Sequence, residues 1–160
     1  MVSKPKPPRL FLDTGVIIEG CTSRWGTSKL VLILATQRDF YTVVFAEAVE
    51  QELQRNVAYT IAPLPPMVRD QTASDVAGWL RRVRLERWPM PTQEQLVAVA
   101  PTLMPVLRHT NDLQAVVTAV QARPDWVISA NRAHWGEDLA KRTGLRIVTP
   151  QDFMGRLRVQ

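Results

Sequence analysis

Three acidic residues occupy positions where an apolar or neutral side chain is expected. Asp13 ends the first apolar run of the chain and is followed by Thr and Gly. Glu52 falls among the inward-facing apolar residues of a helix predicted over residues 47–56. Asp112 does the same in a helix predicted over residues 111–122. Because a buried carboxylate costs several kcal/mol unless a cation pairs with it, these positions call for a nearby arginine or metal ion.

Each acid also has a purely structural interpretation. Asp13 is a good N-cap for the segment that follows it. A salt bridge to an arginine would satisfy Glu52. Asp112 lies in the first turn of its predicted helix, where the helix dipole favours a negative charge. Taken singly, the three residues leave both interpretations open.

The elements that must position these acids alternate between short apolar runs and longer amphipathic segments, as in parallel sheets with crossover helices. Strands are predicted at residues 10–12, 41–45, 82–88, 126–129 and 147–149. Helices are predicted at residues 28–37, 47–56, 70–81, 111–122, 133–143 and 150–157, with another stretch that opens at 91–92 and breaks near Pro101 and Pro105. The prediction is a three-layer α/β domain with a central parallel β-sheet flanked by helices.

A parallel sheet can bring distant acids together, because binding sites in such sheets form at the carboxyl ends of the strands. Asp13 ends a predicted strand, whereas Glu52 and Asp112 lie on inward helix faces. Three carboxylates without a cysteine form a set of hard oxygen ligands, suited to Mg²⁺ or Mn²⁺ rather than to zinc. We therefore expect the three acids to converge with oxygen atoms close enough to share one cation.

Asn131 follows the predicted strand 126–129, so it reaches the same edge of the sheet. Its amide would hydrogen-bond or orient a water there, or else serve as an ordinary turn residue. His109 and His134 have no His or Cys partner close in sequence. We interpret both histidines as surface or capping residues.

Length and composition exclude several protein classes. The 160 residues fit one domain, predicted over residues 9–157 behind a flexible basic tail at residues 1–8. Cys21 is the only cysteine, which excludes a disulfide-stapled secreted module. The longest apolar run, residues 30–35, is far short of the ~20 residues that span a membrane, and prolines interrupt the N-terminus where a signal peptide would be apolar. We expect a cytoplasmic protein without a membrane partner.

The charge balance is compatible with a polyanionic partner such as RNA. The formal net charge is +5, and sixteen of the twenty basic residues are arginines, which pair with phosphates bidentately. A basic segment lies between Trp79 and Trp88 and contains four candidate nucleic-acid-binding residues: Arg81, Arg82, Arg84 and Arg87. The alternative is an edge strand whose arginines deter sheet pairing while the tryptophans cover the core. A net charge of +5 also serves solubility alone.

Four motifs in order resemble those of PIN domains. LFLDTG at residues 10–15 is similar to the family's opening strand and acid, and VEQEL at residues 49–53 to its second motif. NDLQAVVTA at residues 111–119 resembles the third motif, in which an Asp opens a helix. VISAN at residues 127–131 and GLRIVTPQDF at residues 144–153 resemble the fourth motif and the closing strand and helix. The resemblance covers nearly the whole chain.

The resemblance implies a Rossmann-like PIN fold and a ribonuclease that acts on single-stranded or structured RNA with Mg²⁺ or Mn²⁺. Asp13, Glu52 and Asp112 take the three main acidic positions of the family as catalytic metal ligands. Asn131 would position a water, and Thr14 and Ser129 would donate hydrogen bonds to the acids or to phosphate. Many small bacterial members, the VapC type, are toxins neutralised by an antitoxin protein. The resemblance also leaves a homodimer open.

The sequence departs from the family pattern in three places. Asn131 stands where many members have a fourth acid, Gly15 where Asn or Ser is more usual, and Ala46 where Ser or Thr is frequent. Asn131 favours an alternative function, a catalytically degenerate module that binds RNA or a protein partner without cleaving it. A nucleotide-binding Rossmann domain is disfavoured, because no glycine-rich loop follows the first strand.

Overall fold

Five short strands form one parallel sheet in the computed structural model, which describes residues 5–157 apart from the side chains of residues 60 and 61. The strands are β1 (Arg9–Leu12), β2 (Thr42–Ala46), β3 (Leu85–Trp88), β4 (Trp126–Ile128) and β5 (Ile147–Val148). They lie in the order β3-β2-β1-β4-β5, with Phe11 of β1 in register with Val44 and Val127 on its two neighbours. The central strand β1 therefore carries Asp13 to the middle of the carboxyl edge.

Eight α-helices cover the sheet in the described part of the chain. They are α1 (Thr14–Thr22), α2 (Thr27–Ala35), α3 (Glu47–Ile61), α4 (Pro66–Arg82), α5 (Gln93–Leu103), α6 (Leu113–Ala122), α7 (Glu137–Thr143) and α8 (Pro150–Leu157). The strand order reverses direction at β1, and right-handed crossovers then place the helices on both faces of the sheet. This arrangement confirms the predicted three-layer α/β fold.

The core consists of the apolar strands and the inward faces of the helices. Phe11, Phe45, Phe153 and Ile128 are among its largest fully buried side chains. Alternation is absent in β1 and β2 because both faces of these central strands are covered. None of the helices within residues 5–157 has both the length and the apolar character needed to cross a membrane.

The helices α1 and α2 approach each other closely at Gly20. A Cβ atom at this position would lie 2.5 Å from Leu32 Cδ1 and 2.9 Å from the Ser28 carbonyl oxygen, so only glycine fits. Cys21 is buried beside this contact, and burial raises the pKa of its thiol to about 11. The cysteine is therefore a packing residue in the native fold.

The predicted strands all occur, but several helix boundaries differ from the prediction. The segment after Asp13 was not predicted as a helix and forms α1. Helix α4 begins at Pro66, a residue that suits the first helical position. The predicted break near Pro101 is wrong, because α5 continues through this residue to the buried Leu103. The helix ends there, two residues before Pro105, where the second break is predicted. Val97, four residues before Pro101, is exposed, so water can reach the carbonyl that the proline cannot bond.

Two further helices start later than predicted. A 3₁₀ turn at Thr110–Asp112 precedes α6, and α7 begins only at Glu137 because a turn occupies the preceding residues. The predicted basic tail falls in part on residues 1–4, which lie outside the described residues, and residues 5–8 form no helix or strand.

Candidate active site

Asp13 serves both as a helix cap and as an acid at the carboxyl edge of the sheet. Its Oδ1 accepts a hydrogen bond of 2.9 Å from the Thr14 amide, which caps α1, and its own amide donates to the Ile128 carbonyl of β4 over 3.0 Å. Its Oδ2 accepts a bond of 2.8 Å from Ser129 Oγ. The cap fixes the carboxylate without removing it from the site.

Glu52 lies on the inward face of α3, as its position among apolar residues predicts. Thr14 Oγ1 donates to Glu52 Oε2 over 3.0 Å, and Asn56 Nδ2 lies 3.4 Å from Oε1. Within residues 5–157, no arginine or lysine forms an ion pair with Glu52. The arginine interpretation therefore does not hold, and the carboxylate is oriented by two neutral donors.

Asp112 immediately precedes α6 and does not cap it through its side chain. The carboxylate is only 17% exposed, and His134 Nδ1 lies 2.8 Å from its Oδ2. Oδ2 nevertheless accepts no hydrogen bond from any described residue. A buried carboxylate oxygen without a donor is costly, so this atom has capacity for a cation.

Ser129 and Asn131 form the turn that follows β4. Ser129 is buried, and its Oγ accepts a hydrogen bond of 3.1 Å from the Asn131 amide while donating to Asp13. The exposed Asn131 uses its Oδ1 to accept a bond of 3.3 Å from the His134 amide, which is the turn role of an asparagine. The hydroxyl contacts expected of Thr14 and Ser129 are present, and their part in a reaction stays a prediction.

A single pocket of about 590 Å³ is lined by the three acids and by Asn131. It opens at the carboxyl edge of the sheet, where the ends of β1 and β4 and the starts of α1 and α6 meet. Within the described residues its lining contains neither lysine nor arginine. The lining residues are Asp13, Gly15, Glu19, Glu52, Asn56, His109, Asn111, Asp112, Ala130, Asn131, His134 and Trp135.

The electrostatics of the pocket are those of acids held close together. The pKa of Asp13 is raised from 3.8 to about 6, chiefly by burial and also by the negative charges of Glu52 and Asp112. The hydrogen bonds from Ser129 and Thr14 oppose the rise without cancelling it. The site thus favours any species that supplies positive charge, whether a proton or a metal ion.

The donor set suits a hard divalent cation, but the acids do not form a closed cage. In the part of the chain that the structure describes, no three His, Cys, Asp or Glu side chains are arranged to hold one metal ion. All three acids line the same pocket, and their sharing of one cation stays a prediction. Glu52 is turned towards Thr14 and Asn56, which supply its hydrogen bonds.

The structure adds the two histidines to the site, although His109 is exposed and occupies the N-cap position of the 3₁₀ turn, as the sequence interpretation expects. Both line the pocket, with ring centroids 4.6 Å apart, and His134 contacts Asp112. Sequence reasoning missed them because it sought His or Cys neighbours along the chain. The available signal was proximity to expected site residues: each histidine lies three residues from one, His109 before Asp112 and His134 after Asn131.

The basic segment between the tryptophans does not reach this pocket. Trp79 is buried and donates from Nε1 to the Leu32 carbonyl, and Trp88 is half-buried and donates to Glu86. These contacts favour the packing interpretation of the tryptophans. None of the four arginines lines the pocket, and a nucleic-acid-binding role stays a prediction for all of them: Arg81, Arg82, Arg84 and Arg87.

Comparison with solved structures identifies proteins of the same fold. VapBC2 from Rickettsia felis, bound to a DNA fragment from its promoter, matches with a TM-score of 0.62 and 17% identity over 88% of this chain and 98% of that chain. PAE2754 from Pyrobaculum aerophilum matches with a TM-score of 0.63 and 10% identity over 96% and 97%. FitAcB from Neisseria gonorrhoeae matches with a TM-score of 0.54 and 15% identity over 89% and 98%.

The sequence itself gives no match of this kind. No protein-family model matches it, and no curated protein matches it. At identities of 10–17% the structural similarity is one of fold. The chain therefore has the PIN-like, three-layer parallel fold that the motifs predict, over nearly the full length of these solved chains.

Proposed function

We propose that the protein is a metal-dependent endoribonuclease that cleaves single-stranded or structured RNA. The observation that carries the proposal is one pocket into which a strand end and two helices place Asp13, Glu52 and Asp112, with no basic residue among the described lining. Carboxylates packed so closely need a cation, and their oxygen atoms suit Mg²⁺ or Mn²⁺. The orphaned Oδ2 of Asp112 and the raised pKa of Asp13 support the same conclusion.

The chain's own residues prepare the site for phosphodiester hydrolysis. Ser129 and the Thr14 amide hold both oxygens of Asp13, and the Thr14 hydroxyl orients Glu52. When bound, Mg²⁺ or Mn²⁺ supplies charge neutralisation at the scissile phosphate and lowers the pKa of a water. Asn131 is exposed and lines the same pocket, where its amide would position a water.

A cleavage assay tests the proposal directly. Purified protein should cut single-stranded RNA in Mg²⁺ or Mn²⁺ and should stop when a chelator is added. Asp112→Asn, which keeps the shape of the side chain but removes its charge, should lose on the order of 100-fold in rate. The matched control is Asp138→Asn, an exposed acid on α7, which should cut like the wild type. Equal rates in the two variants would refute the proposed site.

A second candidate function is a catalytically degenerate PIN-fold module that binds RNA or a protein partner. The observation that favours it is the absence, among the described residues, of three side chains arranged around one metal position. Asn131, tied into its turn through Oδ1, adds to it. A wild type that binds RNA but cuts none across Mg²⁺, Mn²⁺ and several substrates would establish this second function.

The proposal includes a role as the cytoplasmic toxin of a toxin–antitoxin pair. Its support is the VapC-type resemblance of the motifs together with the shared fold of the VapBC2 and FitAcB complexes. The gene immediately upstream should then encode a short protein that copurifies with this chain and abolishes cleavage. Light scattering of the purified chain decides between a monomer and a homodimer. A neighbour that neither binds nor inhibits would remove the antitoxin from the proposal.

A further inference from the structure

An imidazole nitrogen meets a carboxylate oxygen in the pocket without forming a hydrogen bond. His134 Nδ1 lies 2.8 Å from Asp112 Oδ2, and the two side chains are 25% and 17% exposed. Oδ2 is buried and accepts no hydrogen bond from the described residues. Two atoms that can each bind a cation lie this close together outside the alignment of a hydrogen bond, as two ligands of one cation do.

The position of the imidazole is set by contacts that do not involve the acid. The backbone amide of His134 lies 3.2 Å from the Asn131 carbonyl oxygen and 3.3 Å from its Oδ1, so the turn after β4 holds the residue. On its other side the ring packs against the His109 ring in a tilted arrangement, with an interplanar angle of 51°. Asp112 is held by the 3₁₀ turn before α6, where its amide donates to the His109 carbonyl oxygen over 3.1 Å. Two separate elements thus bring the nitrogen and the oxygen together.

The separation of the two atoms matches a coordination geometry. Two neighbouring ligands at right angles around an octahedral ion, each at about 2.1 Å, are about 3 Å apart. Such ions are commonly held by only one or two protein side chains, with water and substrate phosphate completing the shell, so a three-residue cage is not required. The separation of the pair in this pocket is therefore compatible with two neighbouring ligands of one ion.

We propose that His134 Nδ1 is a metal ligand that, with Asp112 Oδ2, gives this site a preference for first-row transition ions such as Mn²⁺ over Mg²⁺. The inference rests on the proposed function and specifies its metal. Imidazole nitrogen is a favourable ligand for transition ions, whereas Mg²⁺ takes oxygen almost exclusively. Asp112 alone would bind either ion, so the histidine is the residue that discriminates between them.

Pulsed electron paramagnetic resonance of the Mn²⁺-loaded full chain tests the inference. The wild type should show modulation from a directly bound ¹⁴N nucleus. His134→Asn, which keeps a hydrogen-bond donor near the Nδ1 position but removes the imidazole ligand, should lose this modulation. His109→Phe, which keeps the ring stack, should retain it. The affinity for Mn²⁺ should fall about tenfold in His134→Asn, while the affinity for Mg²⁺ changes less than about twofold.

The outcomes separate this inference from the proposed function. Mn²⁺ that binds the wild type, is lost in Asp112→Asn and shows no ¹⁴N modulation would overturn the histidine ligand and leave the carboxylate site standing. The same conclusion follows if His134→Asn keeps wild-type affinity for both ions, because His134 would then contact Asp112 without binding the ion. A wild type that binds no Mn²⁺ at millimolar concentration would overturn the proposed metal site itself.

Discussion

The ionised form of Asp13 is disfavoured by its surroundings in the pocket. It is held by Thr14 and Ser129, yet its pKa is raised to about 6 by burial and by the charges of Glu52 and Asp112. A carboxyl group whose pKa is higher in the folded than in the unfolded state destabilises the fold once it ionises. The native protein therefore retains a charge that weakens it.

The first prediction concerns Asp13→Asn in the presence of a chelator. As the pH rises from about 4 to about 6, the free energy of unfolding of the wild type should fall relative to the variant, because folded Asp13 holds its proton longer than unfolded Asp13. Above pH 6 the variant should be more stable by on the order of 2–3 kcal/mol. Urea denaturation across this range measures the difference. Parallel pH profiles for the wild type and Asp13→Asn would contradict the raised pKa of Asp13. Asp152→Asn, at an exposed acid, serves as the control.

At the residue scale, sequence predicted the acids but not their partners. Glu52 and Asp112 are visible because each interrupts an apolar helix face, a pattern contained in one element. The contact between His134 and Asp112 joins the end of β4 to the start of α6. No local periodicity encodes such a contact, because it arises only when strand order and crossover direction are fixed.

At the element scale, the approach of α1 to α2 is set by Gly20. Because α1 starts at the Asp13 cap, the packing of α1 and α2 also supports the helix that anchors the first acid. Close contact between the two helices requires a residue without a Cβ at this point.

The second prediction is that Gly20→Ala destabilises the protein by about 1–3 kcal/mol, because the added methyl group overlaps Leu32 and the Ser28 carbonyl. Gly155 in α8 provides a matched control, since a Cβ there meets nothing within 4 Å. Gly155→Ala should stabilise by about 0.5–1 kcal/mol through helix propensity alone. Midpoints of denaturant unfolding distinguish the two effects. Similar midpoints for both variants would show that α1 and α2 are more loosely packed than described.

The sequence predicted the secondary-structure elements well where a segment showed a single hydrophobic pattern. The apolar strands were all predicted, because burial on both faces leaves continuous apolar runs. Helix α1 was missed, since Asp-Thr-Gly after a strand also fits a turn and the helix follows without a break. The start of α7 was predicted too early, because Asn131 and its turn contacts with His134 and Trp135 replace helical hydrogen bonds.

At the scale of the whole molecule, the two edges of the sheet differ in how their charged side chains are paired. At the amino edge the Arg9 guanidinium pairs with Glu86 of β3 and donates to the carbonyl oxygens of Ala122 and Arg123. At the carboxyl edge the acids converge without a basic residue in the described pocket lining. The amino edge is thus neutralised by contacts within the fold, whereas no lysine or arginine lines the described pocket at the carboxyl edge.

The third prediction follows from this asymmetry. A cation bound only by the native state stabilises the protein by mass action, so millimolar Mn²⁺ should raise the melting temperature of the wild type. Asp13→Asn should show a much smaller rise, because it removes part of the charge that attracts the ion. Thermal melts with and without Mn²⁺ measure both shifts. Equal shifts would place the bound cation away from this pocket.

Because Cys21 is buried, the rate at which its thiol is modified reports local opening of the protein. With its thiol buried and its pKa raised to about 11, native Cys21 should react with iodoacetamide only when α1 separates from α2. That same separation moves the helix that Asp13 caps. Divalent metal at ten times its dissociation constant should therefore slow alkylation about elevenfold when opening is coupled to loss of the ion. A modification rate indifferent to metal would mean that α1 opens while the acids remain in place.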